Sequence, residues 1–372
     1  MIKVITTVGT SLFNNYLENS KDKVLQEVVL NNLKNKFFVE YRDLIPRVKQ
    51  IKEKVIPWAM KNIESSAEIK SLHKIQKKLA ESLDVYLLAT DTAVSALAAE
   101  IIQAKFDGVK DFQVNFNPDH DVISGLQVEN YQLFVQTGLP NLVERIDKIA
   151  GGYFGNVVFN IAGGYKGVIP YLTVMALINN CDIYYIFEES QTVIEIPRAP
   201  LEINYSVFDK YSREIGLLDH GIERYEKEKE KNFTAFSELE KAGMVEKLED
   251  MTFLSPLGRI FLEKYRRNFF EFYCSDEVWE EINKQKDIQR ILAEKFREEI
   301  IRVKKTETKG MHRVYDDGDN PNRIYYFEHG GGVYIYKTFQ NEEAAREFIK
   351  TSLNREEVIK NAKKRKWVLT DV

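Results

Sequence analysis

The first loop of the sequence has residue types suited to holding an anion. In the stretch TTVGTSLF, Gly9 allows a ligand to approach the backbone closely, and Thr10 and Ser11 offer hydroxyl groups. The stretch begins inside an apolar run, IKVITTV, that is typical of a β-strand. A ligand held here would therefore lie where a strand ends and a loop opens.

A second loop, AGGYKG, combines backbone freedom with positive charge. Gly163 and Gly164 leave backbone N–H groups uncovered, and Lys166 supplies a cation. A helical pattern follows at once, and the N-terminus of a helix favours negative charge. Together the two loops predict a cleft that accepts a phosphate group.

A third loop, ATDTAVSAL, places Asp91 and Thr92 at another strand-to-helix junction and makes them candidate ligand-binding residues. The sequence contains neither the G-x-x-x-x-G-K-[ST] motif nor G-x-G-x-x-G at dinucleotide spacing. Glycines at strand ends also serve tight turns, and Ser or Thr there are ordinary helix caps. From the residues alone, ligand binding and a purely structural role both stay open.

Short β-rich runs alternate with longer amphipathic runs up to about residue 205. This alternation predicts βαβ units and an α/β fold, with a mostly parallel sheet covered by helices on both faces. Ligands of such sheets gather at the carboxyl ends of the strands, where all three loops fall. Residues 14–83 are longer than a simple crossover needs and predict several inserted helices.

The motifs TTVGTSLF and NIAGGYKG, together with the strand CDIYYIFEES, resemble the CARF family, the sensor domains of type III CRISPR systems. The resemblance covers about residues 1–200. It implies a Rossmann-like homodimer that binds a cyclic oligoadenylate, usually cyclic tetra-adenylate, across its two-fold axis. The residues that match the family's ligand-contacting motifs are Gly9, Thr10, Ser11, Gly163, Gly164, Tyr165 and Lys166.

The middle region, residues 206–266, has a different pattern. A charge run is followed by a helical pattern in FTAFSELEK, a hairpin pattern in MVEKL and MTFL, and a further helix capped by Ser255. Helix, hairpin and helix in this order predict a winged-helix domain. Its candidate recognition helix carries Glu238 and Glu240, which would repel DNA phosphates. A connector or dimerisation role is therefore favoured over DNA binding.

The third region, residues 267–372, predicts a small α+β domain with an antiparallel sheet. A strand, NFFEFYCS, precedes two helices, and the strands MHRVYD, NRIYYFEH and VYIYKTF follow. Two further helices, in NEEAAREFIKTSL and NREEVIKNAKKRK, are predicted to close the chain. The inner stripe of the second helix is predicted to consist of Ile288, Leu292, Phe296, Ile300 and Val303.

Strand alternation places Arg323, Tyr325 and Phe327 on one face of this sheet, and Ile324 and Tyr326 on the other. One face can pack on helices while the other shows cationic and aromatic groups. Such a surface suits RNA, because cations hold the backbone and aromatic rings stack on unpaired bases. Charges on an exposed β face also commonly serve solubility alone.

The order of elements over roughly residues 268–372 is similar to the RelE family of mRNA-cleaving toxins. The resemblance implies metal-independent attack by the RNA 2′-hydroxyl, often on mRNA inside the ribosome, with cations stabilising the developing charge. The catalytic candidates that match the family's basic positions are Lys309, Arg313, Arg323 and Lys337. The candidates for the general base are His312, His329 and Tyr325.

Composition limits the remaining possibilities. The 53 Lys and Arg residues against 57 Asp and Glu give a net charge of -4, so any nucleic-acid site must be local. Two cysteines are too few for a disulfide framework or a four-ligand zinc site. No apolar run approaches the roughly 20 residues that span a bilayer, so we expect a soluble, cytoplasmic protein without a membrane partner.

The sequence thus predicts a CARF sensor (1–205), a winged-helix connector (206–266) and a RelE-like ribonuclease (267–372). The expected function is a cyclic oligoadenylate-activated endoribonuclease of CRISPR antiviral defence. It would cut mRNA, with the ribosome as a further partner, and so inhibit translation. The alternative is a ligand-responsive winged-helix transcription regulator without catalytic activity. Whether the sensor also degrades its ligand stays open.

Overall fold

The computed structural model describes residues 1–27, 33, 36–127, 129–186, 192–316, 318 and 320–369. The chain divides into two compact units, Met1–Leu262 and Glu263–Val372. The region predicted as a middle domain falls almost entirely within the first unit. Within the described residues, no helix has the length and apolar character needed to cross a membrane.

The first unit is built on a mostly parallel sheet. Its strands are β1 (Ile2–Val8), β2 (Leu83–Thr90), β3 (Phe112–Asn115), β4 (Val122–Ile123), β5 (Val157–Asn160), β6 (Asp182–Ile186) and β7 (Val193–Ile196); β8 (Val245–Leu248) and β9 (Met251–Leu254) form a separate hairpin. The strand order in the sheet is β3-β2-β1-β5-β6-β7, with β4 paired to β2. Strands β1 to β6 run parallel to their neighbours, whereas β7 runs antiparallel to β6. The mostly parallel sheet is therefore confirmed, and the end of the predicted strand CDIYYIFEES lies outside the described residues.

Helices cover both faces of this sheet, as predicted. They are α1 (Ser11–Ser20), α2 (Lys23–Gln26), α3 (Ile45–Lys61), α4 (Ala67–Leu79), α5 (Ala93–Phe106), α6 (Pro118–Asp121), α7 (Tyr131–Leu133), α8 (Leu139–Ala150) and α9 (Ile169–Ile178). Helices α3, α4 and α5 pack on the face that carries Val4 and Val85, and α8 and α9 pack on the face that carries Ile5 and Phe159. Burial on both faces explains why the central strands are continuous apolar runs. Helices α2, α3 and α4 lie within the long insertion that the sequence predicts.

The middle region is helical apart from the β8–β9 hairpin. Its helices are α10 (Ser206–Lys210), α11 (Ser212–His220), α12 (Tyr225–Lys231), α13 (Phe233–Lys241) and α14 (Pro256–Asn268). The hydroxyl of Ser255 accepts a hydrogen bond from the Gly258 N–H (3.1 Å), which confirms the predicted cap. The predicted order of helix, hairpin and helix is present in α13, β8–β9 and α14.

The second unit contains a sheet of order β11-β12-β13-β14-β10-β15. Its elements are β10 (Phe269–Cys274), α15 (Asp276–Lys284), α16 (Lys286–Ile291), α17 (Glu299–Lys304), β11 (Thr306–Lys309), β12 (His312–Tyr315), β13 (Arg323–His329), β14 (Gly332–Phe339), α18 (Glu342–Phe348), α19 (Arg355–Asn361) and β15 (Lys363–Val368). The strand pairs are antiparallel except β10 and β14, which run parallel. The expected α+β arrangement is present, although one strand pair breaks the antiparallel pattern.

Two expectations about the elements of the second unit are wrong. Ile288, Leu292 and Phe296 are fully buried as predicted, but Ile300 is 83% exposed and Val303 is 50% exposed. The helix is interrupted by a turn before α17, so the helical periodicity does not carry through. The basic residues at the end of NREEVIKNAKKRK were expected to end a helix. Lys363–Lys366 instead belong to β15, which pairs antiparallel with β10.

Candidate functional site

The first and second glycine loops meet at the carboxyl ends of β1 and β5. A Cβ atom at Gly9 would lie 2.9 Å from the backbone nitrogen of Gly164, so the two backbones touch where a side chain would not fit. Thr7 donates a hydrogen bond from its hydroxyl to the Gly163 carbonyl (2.8 Å). Gly164 adopts a φ of 91°, which favours glycine. The structure therefore brings together the two loops that the sequence singles out.

A carboxylate lies beneath both loops. Glu68 accepts hydrogen bonds from the Gly9 N–H (2.8 Å) and the Ser11 hydroxyl (3.0 Å). A Cβ atom at Gly163 would lie 2.1 Å from one of its carboxylate oxygens. The residue is 0% exposed. Glu68 thus fills the space at the start of α1 where the sequence predicts a phosphate.

The local sequence explains why Glu68 reaches this position. The Ser66 hydroxyl accepts a hydrogen bond from the Ile69 N–H (3.1 Å) and caps α4, which places Glu68 in the first turn. A carboxylate is favoured at the N-terminus of a helix, and Glu68 lies near the first residues of both α4 and α1. Sequence reasoning missed this residue because it lies 59 positions from Gly9, and only the fold joins the two.

The other residues of these loops surround the junction. The Thr10 carbonyl accepts hydrogen bonds from the N–H groups of Phe13 and Asn14, whereas in the described chain its side chain does not cap α1. Tyr165 packs edge-on against Phe134, with 5.8 Å between the ring centroids. Lys166 is exposed and starts a short 3₁₀ turn that leads into α9. A cation and hydroxyl groups therefore lie around the loops, and their role in ligand binding stays a prediction.

Asp91 and Thr92 lie at a different point of the sheet edge, where Asp91 contacts another loop and Thr92 caps a helix. Asp91 accepts a hydrogen bond from the Gly125 N–H (2.9 Å), and the Thr92 hydroxyl accepts one from the Ser95 N–H (3.3 Å) as the cap of α5. Asp91 also lines a cavity of about 720 Å³ together with the aromatic rings of Phe37 and Tyr41. These contacts match the structural alternative for the third loop.

In the second unit, the Arg323 guanidinium is fixed by an ion pair and by two backbone carbonyls. Its guanidinium forms an ion pair with Asp316 (3.0 Å) and donates to the carbonyls of Asn320 (2.7 Å) and Asn322 (2.9 Å). The residue is only 9% exposed. Its present contacts are those of a buried cation that fixes the start of β13.

The other three catalytic candidates also have carboxylate partners. Lys309 pairs with Glu307 (2.8 Å) and thereby lowers the pKa of that carboxyl group below its usual value. Arg313 lies 3.9 Å from a carboxylate oxygen of Glu328. Lys337 pairs with Glu281 on α15 at 2.5 Å. Each of these pairs is partly exposed, so an anionic substrate could compete for the cation.

The sheet does not bring the four cations to one point. Arg313 lies opposite Tyr326, whereas Arg323 shares a face with Tyr325, and neighbouring residues of a strand point to opposite faces. Lys337 is paired with Tyr325, and the register of the β13–β14 pairing shifts between Tyr325 and Tyr326. The catalytic role of these residues stays a prediction, and Arg313 and Arg323 lie on different faces of the sheet.

The face expected to show aromatic rings to RNA is covered instead. Tyr325 is 0% exposed and Phe327 is 2% exposed. Helix α18 packs on this face: the Tyr325 hydroxyl donates to the Ala345 carbonyl (2.8 Å), and Phe348 lies against the Tyr325 ring. These rings cannot stack on unpaired bases in this arrangement, so that expectation is wrong.

A cavity of about 760 Å³ lies at the tip of the β11–β12 hairpin. It is lined by Thr308, Gly310, Met311 and Arg313 on the hairpin side and by residues 352–356 on the other. Arg355 is exposed there, and its guanidinium lies 5.4 Å from the centre of the Phe327 ring. Among the described residues no carboxylate pairs with Arg355. Sequence reasoning missed it because it lies on a helix assigned only to closing the chain.

The candidates for the general base differ in exposure. His312 is 0% exposed, and its ring nitrogens contact the Tyr336 hydroxyl and the Thr351 carbonyl (3.0 Å each). Tyr325 is also fully buried, and burial raises the pKa of its phenol. His329 is exposed at the end of β13. In the described part of the chain, no three His, Cys, Asp or Glu side chains come together as a metal site would need.

The candidate recognition helix, α13, presents paired carboxylates. Glu238 forms an ion pair with Lys210 (3.2 Å), and Glu240 pairs with Lys229 (2.5 Å). Lys247 of the hairpin lies 3.5 Å from Glu240. These three lysines are therefore bound to carboxylates, and a site for DNA phosphates that used them would have to break these pairs.

Comparison with known proteins gives one family match. Residues 63–199 match the family model described as CRISPR-associated protein (Cas_APE2256). The match spans less than half of the chain; it includes Glu68 and the second glycine loop but not the first. Among curated proteins, none is similar enough to the chain to match.

Among solved structures, one of Can2 from Sulfobacillus thermosulfidooxidans in complex with cyclic tetra-adenylate aligns with this chain at 15% sequence identity. The alignment covers 78% of this chain and 80% of that chain, with a TM-score of 0.23. A TM-score at this level does not indicate a shared fold.

Proposed function

We propose that this protein is a CRISPR effector in which the first unit binds a cyclic oligoadenylate and the second unit then cuts RNA. The single observation that carries the proposal is the family match over residues 63–199. The matched segment supplies the second glycine loop, which touches Gly9 at the carboxyl edge of a parallel sheet. This edge is where α/β sheets bind their ligands.

The ligand site on the first unit suits a nucleotide ring through its donors. Helices α1 and α9 begin at the two loops, and helix N-termini favour phosphate groups. At the start of α9 the Ile169 N–H already donates to the Lys166 carbonyl and Pro170 has no N–H, so α1 offers the freer N-terminus. Thr10 and Lys166 lie beside these helix starts. We infer that the ring lies over the two loops, and a second copy of the chain would cover its other side.

For RNA cleavage in the second unit, the cavity at the β11–β12 hairpin is better supported than the covered sheet face of Arg323 and Tyr325. Arg313 and Arg355 both line it, and two guanidinium groups can hold a phosphodiester and stabilise the charge that develops when the RNA 2′-hydroxyl attacks. The exposed carboxylate of Glu356 also lines it. Binding of mRNA on the ribosome would supply the remaining geometry.

A cleavage assay with a matched control tests the proposal. Messenger RNA on translating ribosomes is incubated with the protein, with and without cyclic tetra-adenylate, and calorimetry measures ring binding separately. We expect cleavage only with the ring, and a rate about 100-fold lower for Arg313→Gln. The control is Arg346→Gln, which removes an exposed guanidinium of the same unit that pairs with Glu342 (2.8 Å).

The outcomes separate the candidate functions. Ring binding with a slow Arg313→Gln variant and an unaffected Arg346→Gln variant supports the proposal. The proposal is contradicted if calorimetry detects no binding of the ring. It is also contradicted if Arg313→Gln and Arg346→Gln lower the cleavage rate equally. Ring-dependent retardation of DNA without RNA cleavage would instead favour the transcription regulator.

A further inference from the structure

The Glu68 carboxylate is unusual because it is buried beneath a proposed anion site. It is 0% exposed, and within the described residues no Lys or Arg forms an ion pair with it. Its hydrogen-bond donors are the Gly9 N–H and the Ser11 hydroxyl, which are neutral groups. A charge placed here is screened less than a surface charge, so it acts more strongly on a nearby ligand.

The carboxylate also lies very close to both loops. Its oxygen would be only 2.1 Å from a Cβ atom at Gly163, and it accepts directly from Gly9. A ligand phosphate over these loops would therefore lie a few atoms from a negative charge of the protein. The repulsion grows with each charge on that phosphate.

We propose that Glu68 sets the charge specificity of this site, so that it accepts the phosphodiesters of a closed ring and rejects a terminal phosphate. This inference rests on the proposed function. A phosphodiester carries one negative charge, whereas a terminal phosphate carries nearly two at neutral pH, because its second pKa is about 6. A closed ring has no terminal phosphate, but a linear oligoadenylate can have one. Building an unpaired charge against the wrong ligand is a general route to specificity.

The substitution Glu68→Gln isolates the charge. The side-chain amide has the size of the carboxylate, and its oxygen can still accept from the Gly9 N–H. Its NH₂ group can donate to the Ser11 hydroxyl, which has a second lone pair beside the one facing the Ala67 N–H (3.2 Å). The loops therefore keep their contacts while the negative charge is lost.

The experiment compares three oligoadenylates by calorimetry on the full chain. The probes are cyclic tetra-adenylate, linear tetra-adenylate with a 5′-phosphate, and linear tetra-adenylate with hydroxyls at both ends. For the unaltered protein we expect the phosphorylated linear probe to bind about tenfold more weakly than the hydroxyl-ended one, a difference of about 1.4 kcal/mol. Glu68→Gln is expected to bring the two linear probes within about twofold of each other.

Two further variants control the interpretation. Glu64→Gln removes an exposed carboxylate four residues earlier, which pairs with Lys70 (3.7 Å), and should keep the tenfold ratio. Glu68→Asp keeps the charge and should keep the ratio too. Melting temperatures establish that each variant is folded. If Glu68→Gln does not fold, Glu68→Ala takes its place, and a tenfold ratio that persists in this folded variant without the carboxylate overturns the role of Glu68.

The result separates this inference from the proposed function. Equal binding of the two linear probes by the unaltered protein overturns the role of Glu68, as does a tenfold ratio that persists in folded Glu68→Gln. In both cases ring binding, and with it the proposed function, stands. Failure of every oligoadenylate to bind overturns the proposed function and the inference with it.

Discussion

The contact between the two glycine loops makes a quantitative prediction about Gly164→Ala. Gly164 has a φ of 91°, and a Cβ atom there would lie 2.6 Å from both Cβ and Oγ1 of Thr7. The left-handed conformation costs about 1–2 kcal/mol for a residue with a side chain. Forcing a methyl group into occupied space adds about 1–3 kcal/mol. The free energy of unfolding of the first unit should therefore fall by about 2–5 kcal/mol.

Gly152→Ala is the matched control for this prediction. Gly152 has a φ of 78°, but no atom lies within 4 Å of the position that its Cβ would take. Its substitution should cost only the conformational strain, about 1–2 kcal/mol. Since 1 kcal/mol shifts the melting temperature by about 2–4 °C at this size, Gly164→Ala should melt about 2–12 °C below Gly152→Ala.

Differential scanning calorimetry of the two full-length variants checks this difference, and binding of cyclic tetra-adenylate to each variant reports on the loops themselves. Gly164→Ala should also weaken ring binding, because the displaced Thr7 no longer fixes the Gly163 carbonyl. Equal melting temperatures for the two variants would refute the reasoning. They would mean that the loops do not pack against each other as described.

Three further predictions concern stability. Burial lowers the pKa of His73 below its unfolded value of 6.5, with a smaller contribution from a nearby lysine, so its stabilising effect is present above that pH and lost as the pH falls. The melting temperature of the first unit should fall as the pH is lowered from 7 to 5, and it should fall less steeply in His73→Phe than in the unaltered protein. Parallel pH profiles of the two proteins would contradict this. Ser66→Ala removes the cap of α4 and should lower the unfolding free energy by about 1 kcal/mol in urea titrations, whereas an unchanged midpoint would exclude the cap. Arg302→Ala should destabilise the second unit by about 2–3 kcal/mol in the same assay, because the buried guanidinium donates to the Phe296 carbonyl and pairs with Glu328 (3.0 Å); a loss below about 0.5 kcal/mol would contradict that role.

Local signals predicted the parallel sheet well. The β-rich run of β1 and the glycines of the second loop identified two strand ends at one edge of the sheet, although not the contact between the two loops. These features could be predicted because strand burial and glycine conformation depend on residues that are adjacent in the sequence. The contact of Glu68 with Gly9 could not be predicted, since it depends on how an inserted helix packs.

The second unit shows the same limit in its sheet. Alternation in β13 correctly separated Tyr325 from Tyr326, but it could not tell which face a later helix would cover. Helix α18 buried the face that looked open, through Ala345 and its neighbours. The exposure of Ile300 has a similar origin, because a turn before α17 ended the helical period. Periodicity gives the faces of an element, and tertiary packing decides which face meets solvent.

The position of β10 affects how the second unit is made. This strand lies between β14 and β15, both of which come much later in the chain. During synthesis, its apolar side chains Phe270 and Phe272 emerge long before either partner strand exists. The nascent chain must therefore keep an unpaired apolar strand from joining other strands until β15 has emerged. A polypeptide released before that point would leave one edge of β10 unpaired, and we expect it to aggregate rather than act as a weaker version of the whole.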